Sequence, residues 1–299
     1  MKKILSLVFA AVMTMTVQAQ FLGWIEVGDY YNPVETYNGS YFDMAPTNFY
    51  LAHTGVQMIF TPDLLTVMEG KEGVSIKHLN FKFHNETFEE IVRNAKVYLQ
   101  EIDATEFAVN EDGVKQFFTL GELVAEGRYD LDLLETYGED QDLVMEIQEP
   151  FSFTIGKSLL VTIVFDAEDD DNCTMGSDYA PFYTSGIRGK AMTYTDNWTS
   201  FLDYAQGEHF PDASAIFGCG TNVELPVTEI GYSYERMRGD VNDSGSIGMD
   251  DLSVLISYLL DDSKSIDFVN TAIISSVGDT VVNMDDLSAL ITYLLVNAW

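Results

Sequence analysis

The sequence has few basic residues, few cysteines and few long apolar runs, and each shortage excludes a class of protein. Its 299 residues include 15 lysines and arginines against 48 aspartates and glutamates, a formal net charge of −33. Such a surface repels nucleic acid and anionic membranes, so neither is an expected partner. Beyond the N-terminus no apolar run reaches the roughly 18 residues that span a bilayer, so we expect no membrane insertion.

Only two cysteines, Cys173 and Cys219, are present. An oxidising compartment would allow them to form one disulfide, and two free buried thiols fit the sequence equally well. The pairing therefore stays open, while the spacing of the two residues matches no zinc motif.

The N-terminus has the parts of a secretory signal. Lys2 and Lys3 precede an apolar run at residues 4–17, and a short segment containing Ala19 follows it. We therefore expect residues 1–19 to be a signal peptide and the protein to be secreted or held at the cell surface.

Residues 20–230 have the pattern of a mainly β domain. Apolar and polar residues alternate at 76–83 and 95–102, and a continuous β-branched run occupies residues 159–165. Gly, Asn and Asp turns separate these runs, and there is little helical periodicity between them. The sequence predicts an antiparallel β-sandwich of jelly-roll or immunoglobulin-like type, followed by a linker at residues 231–238.

Residues 239–299 contain a duplicated helical pattern. A Met-Asp-Asp-Leu-Ser segment followed by apolar residues begins at Met249 and again at Met284. The helical spacing predicts one apolar stripe on each helix, and each stripe can bury the other. The stripe residues are Leu252, Leu255, Ile256 and Leu259 in the first copy, and Leu287, Leu290, Ile291 and Leu294 in the second.

The segment before the first helix fits a calcium loop. Such a loop has side-chain oxygens at positions 1, 3, 5 and 12, a main-chain carbonyl at position 7 and glycine at position 6. With Gly245 at position 6, the predicted ligands are Asp240, Asn242, Ser244, Ser246 and Asp251. The set contains only two carboxylates, and position 12 is Asp where a tight buffer site has the longer Glu. We therefore expect a weaker affinity than that of a buffer site. The alternative is a turn that caps the helix without metal.

The second copy lacks this ligand set. Counting back from Asp286 places Ser275 at position 1, Val277 at position 3 and Thr280 where glycine is needed. Asn283 can instead cap the helix, with Asp286 as its partner carboxylate. We therefore expect one calcium ion in the chain.

The C-terminal pattern resembles a type I dockerin. The resemblance rests on residues 239–242, on the Asp-Leu pair that starts each helix and on the Tyr-Leu-Leu that ends each helix. It implies two EF-hand-type loop-helix repeats that pack antiparallel and bind a cohesin domain. It also implies partner contacts at loop positions 10 and 11, which are Met249, Asp250, Met284 and Asp285. The remainder of the chain resembles secreted adhesin-like proteins of Bacteroidetes.

Three residues beside Asp196 form a candidate sugar-binding platform. A flat aromatic ring flanked by amide and carboxylate groups suits a pyranose ring. Packing in the core or at its rim is the alternative. The candidate residues are Tyr194, Asn197 and Trp198.

These features predict a secreted, non-catalytic protein. Its sandwich would be of adhesin or carbohydrate-binding type, and its dockerin-like module would attach it to a cohesin-like or other surface protein, with polysaccharide as a further ligand. No serine, cysteine or phosphate-loop signature of an enzyme stands out. Two alternatives stay open: a dockerin-bearing glycoside hydrolase that degrades polysaccharide, and a module that packs on its own sandwich as a structural cap.

Overall fold

The computed structural model describes residues 20–31, 33, 45–47, 51–85, 90–132, 136–167, 182–196, 199–205, 219–235, 238–261, 266, 271, 274–275 and 281–296. Within these ranges the protein is mainly β, with ten strands in two antiparallel sheets. The mainly β fold class predicted from the sequence is confirmed.

The strands and helices follow one another in a simple order. The strands are β1 (Gln20–Val27), β2 (His53–Phe60), β3 (Glu72–His84), β4 (Glu90–Ile102), β5 (Glu122–Asp132), β6 (Asp140–Ser152), β7 (Ser158–Asp166), β8 (Thr184–Asp196), β9 (Cys219–Pro226) and β10 (Thr228–Glu235). The helices are α1 (Phe201–Ala205), α2 (Met249–Leu260) and α3 (Met284–Val296), with two 3₁₀ turns at Pro62–Leu64 and Thr66–Met68. The four-stranded sheet has the order β1-β10-β3-β6, and the six-stranded sheet the order β5-β4-β7-β2-β8-β9.

The continuous apolar run at residues 159–165 lies in β7, at the centre of the six-stranded sheet. Residues 158–165 are all buried, since side chains cover both faces of this sheet. A strand that is covered on both faces has no need for alternating polar residues. The sequence therefore shows a solid apolar run here, whereas β3 alternates over most of its length.

One hydrophobic cluster joins the two sheets. Leu79 and Phe81 of β3 belong to it together with Val161 and Ile163 of β7. A second cluster covers the other face of the six-stranded sheet, where Phe107 and Phe117 of the β4–β5 connection pack with Phe201 of α1 on strand residues. Burial of this apolar surface is the main force that holds the sheets together.

The last strand, β10, extends into the segment predicted to be a linker. It ends at Glu235 and lies between β1 and β3, so the predicted end of the β domain at residue 230 is too early. Ile230, Tyr232 and Tyr234 belong to the core that joins the two sheets, and their spacing of two residues is the period of a strand. Gly231 resembles a turn signal in the sequence, but in the strand it leaves room for the imidazole of His78.

Helices α2 and α3 begin at the two Met-Asp-Asp segments and share a small core of their own. Leu255 and Leu290 are fully buried in it, together with Val241 and Ile274 from the preceding loops. Ile256 and Ile291 are exposed, so their predicted place in the buried stripes is wrong. A helix that meets a single partner helix buries only a narrow stripe, and these residues fall outside it. No helix in the described ranges has the length and apolar content to cross a membrane.

A substitution at Gly55 of β2 tests how closely α1 packs on the six-stranded sheet. A Cβ at this position would lie 2.3 Å from Cγ of Phe201, so Gly55→Ala should lower the free energy of unfolding by about 1–3 kcal/mol through overpacking. Urea unfolding measures the change. Gly127→Ala in β5 is the control, because the nearest atom to its Cβ would be 4.0 Å away. Equal losses in both variants would contradict the packing described.

Candidate metal centre

The carboxylate of Asp240 organises the first loop from its N-terminal end. Its Oδ1 accepts a hydrogen bond from the amide of Ser244 at 2.8 Å, and its Oδ2 accepts one from the amide of Gly245 at 2.8 Å. Oδ1 of Asn242 also accepts from the amide of Ser244, at 3.1 Å. These bonds curl the main chain around the side chains at positions 1 and 3.

The carboxylate of Asp251, in the first turn of α2, closes the loop from the other end. Its Oδ1 accepts from the amide of Asn242 at 3.1 Å, and its Oδ2 accepts from the amide of Gly248 at 2.8 Å. The second bond is also the N-terminal cap of the helix, because it satisfies an amide that has no partner within the helix. Asp251 thus joins the loop to α2.

The sharp turn at position 6 requires glycine for two reasons. Gly245 has a φ of +80°, in the left-handed region that glycine adopts at little cost. A Cβ on Gly245 would also lie 2.5 Å from the carbonyl oxygen of Gly70, in the turn before β3. The loop therefore packs closely against the β part of the protein at this point.

Two acidic side chains are almost completely buried in this one loop. Asp240 is 2% exposed and Asp251 is 1% exposed. Burial, aided by the charges of Asp251 and Asp243, raises the pKa of Asp240 above its ordinary value, although the amide hydrogen bonds oppose the shift. Buried carboxylates of like charge are unfavourable unless a cation compensates them.

The donor atoms of the loop fit a calcium ion. Carboxylate, amide, hydroxyl and carbonyl oxygens are the hard ligands that calcium takes. The hydroxyl of Ser244 donates to the carbonyl of Ser246 at 3.2 Å, so the oxygens of positions 5 and 7 also lie together. Within the described residues, no group of three or more His, Cys, Asp or Glu side chains is arranged to hold a metal. A cation here would depend on two carboxylates, Asp240 and Asp251, and on neutral oxygens.

Asp286 has the same role in the second loop that Asp251 has in the first. Its Oδ2 accepts from the amide of Asn283 at 2.9 Å, and its Oδ1 accepts from the amide of Ser275 at 3.1 Å and from the hydroxyl of Ser275 at 2.8 Å. Oδ1 of Asn283 accepts from the amide of Asp285 at 2.6 Å. The cap predicted for α3 is therefore confirmed.

The hydrogen bonds change the alignment of the two loops. Ser275 and Asn242 make the same amide bond to the aspartate of the following helix, but they lie 11 and 9 residues before it. Ser275 therefore corresponds to position 3, and its predicted place at position 1 is wrong because the second loop is longer. By sequence, Ile273 then falls at position 1, and its side chain has no oxygen. Ile273 lies outside the described residues.

Arg238 brings a positive charge to the second loop. Its Nη2 donates to the carbonyl of Ile274, next to the residue that holds Asp286. Burial lowers the pKa of Arg238, and the negative charge of Asp286 opposes that shift. The second loop thus contains a cation that the protein itself supplies. Arg238 is not among the predicted site residues, because it precedes the first loop and belongs to no motif.

The residues predicted to contact a partner lie at the starts of the two helices. Met249 is 65% exposed and Met284 is 61% exposed, and Asp250 and Asp285 beside them are exposed as well. The buried, half-buried and exposed positions follow the same order in residues 249–260 and 284–295. The two copies therefore present equivalent surfaces.

The prediction that Tyr194 belongs to a sugar-binding platform is wrong. Its ring is fully buried and packs 5.7 Å from the ring of Phe201, centroid to centroid, while its hydroxyl donates to the carbonyl of Thr199 at 2.7 Å. A ring without exposed surface cannot stack on a sugar. Asn197 and Trp198 lie outside the described residues, as does Cys173, so the pairing of Cys219 stays open.

Comparisons with known proteins add little to this picture. No protein-family model and no curated protein matches the chain. Two solved structures of infectious bursal disease virus, of the Gx and Gt strains, are 13% identical to it, with a TM-score of 0.21 each. The matches cover 73% and 78% of this chain, but the chain spans only 37% and 41% of theirs. Structures this dissimilar give no information about the fold or the function of the chain.

Calcium titration tests the candidate centre. We expect calcium to raise the melting temperature and to bind with a stoichiometry near one, because the first loop has a ligand set and the second contains Arg238. Asp240→Ala should abolish both effects, since it removes one of the two buried carboxylates of the first loop. Asp250→Ala is the control, because its exposed carboxylate lies outside the loop's hydrogen bonds. Two ions per chain, or an unchanged response of Asp240→Ala, would refute the assignment.

Proposed function

We propose that this protein is a secreted, non-catalytic binding protein with two functional parts. Its β part is a sandwich of adhesin or carbohydrate-binding type, and its two C-terminal helices form a calcium-stabilised, dockerin-like module that attaches it to a partner protein. The observation that carries the proposal is a second apolar stripe, exposed and repeated, on helices α2 and α3.

The exposed stripe lies on the side of each helix that the small core leaves uncovered. In each copy it contains a methionine at the helix start, an isoleucine seven residues later and a leucine four residues after that. This spacing places all three on one helical face. Exposed large apolar residues that recur together are typical of an interaction surface. The residues are Met249, Ile256 and Leu260 in α2, and Met284, Ile291 and Leu295 in α3.

The candidate metal loop would hold one of these stripes in place. Asp251 closes the candidate metal loop and also lies in the first turn of α2. A cation bound to its carboxylate would fix the direction of that turn, where Met249 and Asp250 lie. In the second copy the contact of Arg238 with Ile274 supports the same geometry without metal.

The charges beside the stripe indicate what kind of partner fits. Asp250 and Asp285 flank the two methionines, so each helix start presents an apolar side chain next to a carboxylate. A protein with apolar pockets and basic residues at their rim would complement both features. A cohesin-like or other surface protein of that character is the partner we propose.

Capture experiments with full-length protein test the attachment. Wild-type protein should retain a partner from the surface fraction of its source in calcium and release it in chelator. The double variant Met249→Glu, Met284→Glu should lose capture, because a charge in a desolvated apolar contact is strongly unfavourable. Val67→Glu, at an exposed apolar residue of the β part, is the control. Capture that survives the double variant, with calcium binding intact, would disprove a role of the stripe.

A second candidate function is that of a cap on the protein's own β part, and one set of contacts favours it. Nζ of Lys71 lies 2.5 Å from Oδ2 of Asp243 at loop position 4, and 4.8 Å from the ring centroid of Tyr234. Gly70 and Gly245 are in close contact beside this pair. These contacts use different residues from the exposed stripes, so capping and attachment are compatible.

Lys71→Ala tests the cap. The substitution should remove up to about 1 kcal/mol of the coupling between the loop and the β part. The calcium-dependent rise in the melting temperature of the β part should then shrink. Lys157→Ala is the control, because it removes an exposed ion pair with Asp103 elsewhere on the β part. If a chain that ends at residue 235 were as stable as the intact protein, the proposal that the C-terminal module caps the β part would be rejected.

A further inference from the structure

The outer face of the four-stranded sheet is polar across β3 and β6. Cross-strand neighbours pair His84 with Asp140, Lys82 with Asp142 and His78 with Glu146. The inner face carries the opposite set of alternate residues, which form the shared core. One half of this outer face is covered, because the hydroxyls of Tyr30 and Tyr183 donate to Asp142 and Asp140 at 2.7 and 2.6 Å.

The other half of this face contains an exposed tryptophan on the edge strand. Trp24 of β1 is 58% exposed and lies opposite Gly231 of β10, which in turn lies opposite His78 of β3. Gly231 has no side chain, and the His78 ring fills the space above it: a Cβ there would lie 2.0 Å from Cε1 of that ring. No third side chain therefore separates the indole from the imidazole along this row.

Hydrogen-bonding groups lie in the strand row next to that of the indole. Nε2 of His78 lies 3.4 Å from Oε1 of Glu229, which is in the adjacent row of β10. The hydroxyl of the exposed Tyr31 is close to the same carboxylate, whose charge raises the pKa of Tyr31. Glu26 of β1 lies directly opposite Glu229. The row of the indole thus ends in an imidazole, and the adjacent row contains two carboxylates with a phenol beside them.

The two sheets differ in what covers their outer faces. On the six-stranded sheet, Phe107, Phe117 and Phe201 are buried against the strands, so that face is part of the core. On the four-stranded sheet, Leu22, Trp24 and Val144 remain exposed among polar neighbours. Leu22 and Trp24 are two residues apart on the same face of β1, so the open indole belongs to a small exposed apolar patch.

We propose that Trp24, with His78, Glu229 and Tyr31, forms a binding site for a neutral saccharide on the outer face of the four-stranded sheet. A pyranose ring has an apolar face of C–H groups, which stacks on an indole, and hydroxyls at its rim, which bind carboxylate, imidazole and phenol groups. The proposal rests on the proposed function, since it names a ligand for the carbohydrate-binding part.

Charge selects the saccharide over other ligands. Glu146 lies opposite His78, and Glu26 and Glu229 lie in the adjacent row. With a net charge of −33 on the chain, acidic sugars and phosphates are repelled. A stable protein interface buries more than about 1,000 Å² around an apolar centre, whereas the exposed apolar side chains here are few and lie among carboxylates. A cationic side chain would also suit an indole beside carboxylates, so the test includes it.

Affinity electrophoresis of the full-length protein tests the site. The gels contain soluble neutral polysaccharides, namely a β-glucan, a xylan, a galactomannan and an α-glucan, and a lysine-rich peptide is titrated separately. We expect at least one polysaccharide to retard the wild type. Trp24→Ala should weaken that binding by about tenfold or more, while Trp24→Phe should retain part of it. Tyr137→Ala, at an exposed aromatic residue before β6, should bind like the wild type.

The outcomes distinguish this proposal from the proposed function. Retardation that Trp24→Ala loses, with an unchanged melting temperature, supports the site. An absence of retardation by all four polysaccharides overturns it, and so does equal binding of Trp24→Ala or binding of the peptide alone. Capture of a protein partner through the α2 and α3 stripes is measured on the same Trp24→Ala variant. If capture persists while saccharide binding fails, only the saccharide site is rejected.

Discussion

The burial of two carboxylates in one short loop is the constraint on which the C-terminal helices depend. Asp240 and Asp251 are removed from water in a protein whose charge is already strongly negative. Amide hydrogen bonds lower the cost of this burial but add no positive charge. A hard cation would add that charge and would link the start of the loop to the start of α2.

The second loop also buries a carboxylate, but the positive charge near it comes from the protein itself. Asp286 is as deeply buried as Asp251 and holds the loop before α3 through the same kind of amide bonds. Its positive neighbour is Arg238, which a separate part of the chain provides. The two helices therefore share one surface pattern, while the two loops differ in length and Arg238 contacts the second loop.

The two sheets of the β part differ in how many of their faces are covered by other side chains. The six-stranded sheet is covered on both faces, so it builds the core. The four-stranded sheet is covered on its inner face, and its outer face is divided between a tyrosine-covered half and an open half around Trp24. Gly231 and His78 are the residues that shape the open half, because the missing side chain of one is replaced by the ring of the other.

By itself, the sequence determined the period of the strands, the starts of α2 and α3, the run of oxygen-bearing side chains in the first loop and the absence of such a run in the second. These features are local, since each depends on residues within one turn, one strand or one loop. The tertiary structure alone decided that Tyr194 is buried and Trp24 exposed, that Ile256 and Ile291 face outward, that β10 continues through Glu235, and that Arg238 reaches the second loop. Each of these depends on which distant segments pack together, and spacing along the chain carries no such information.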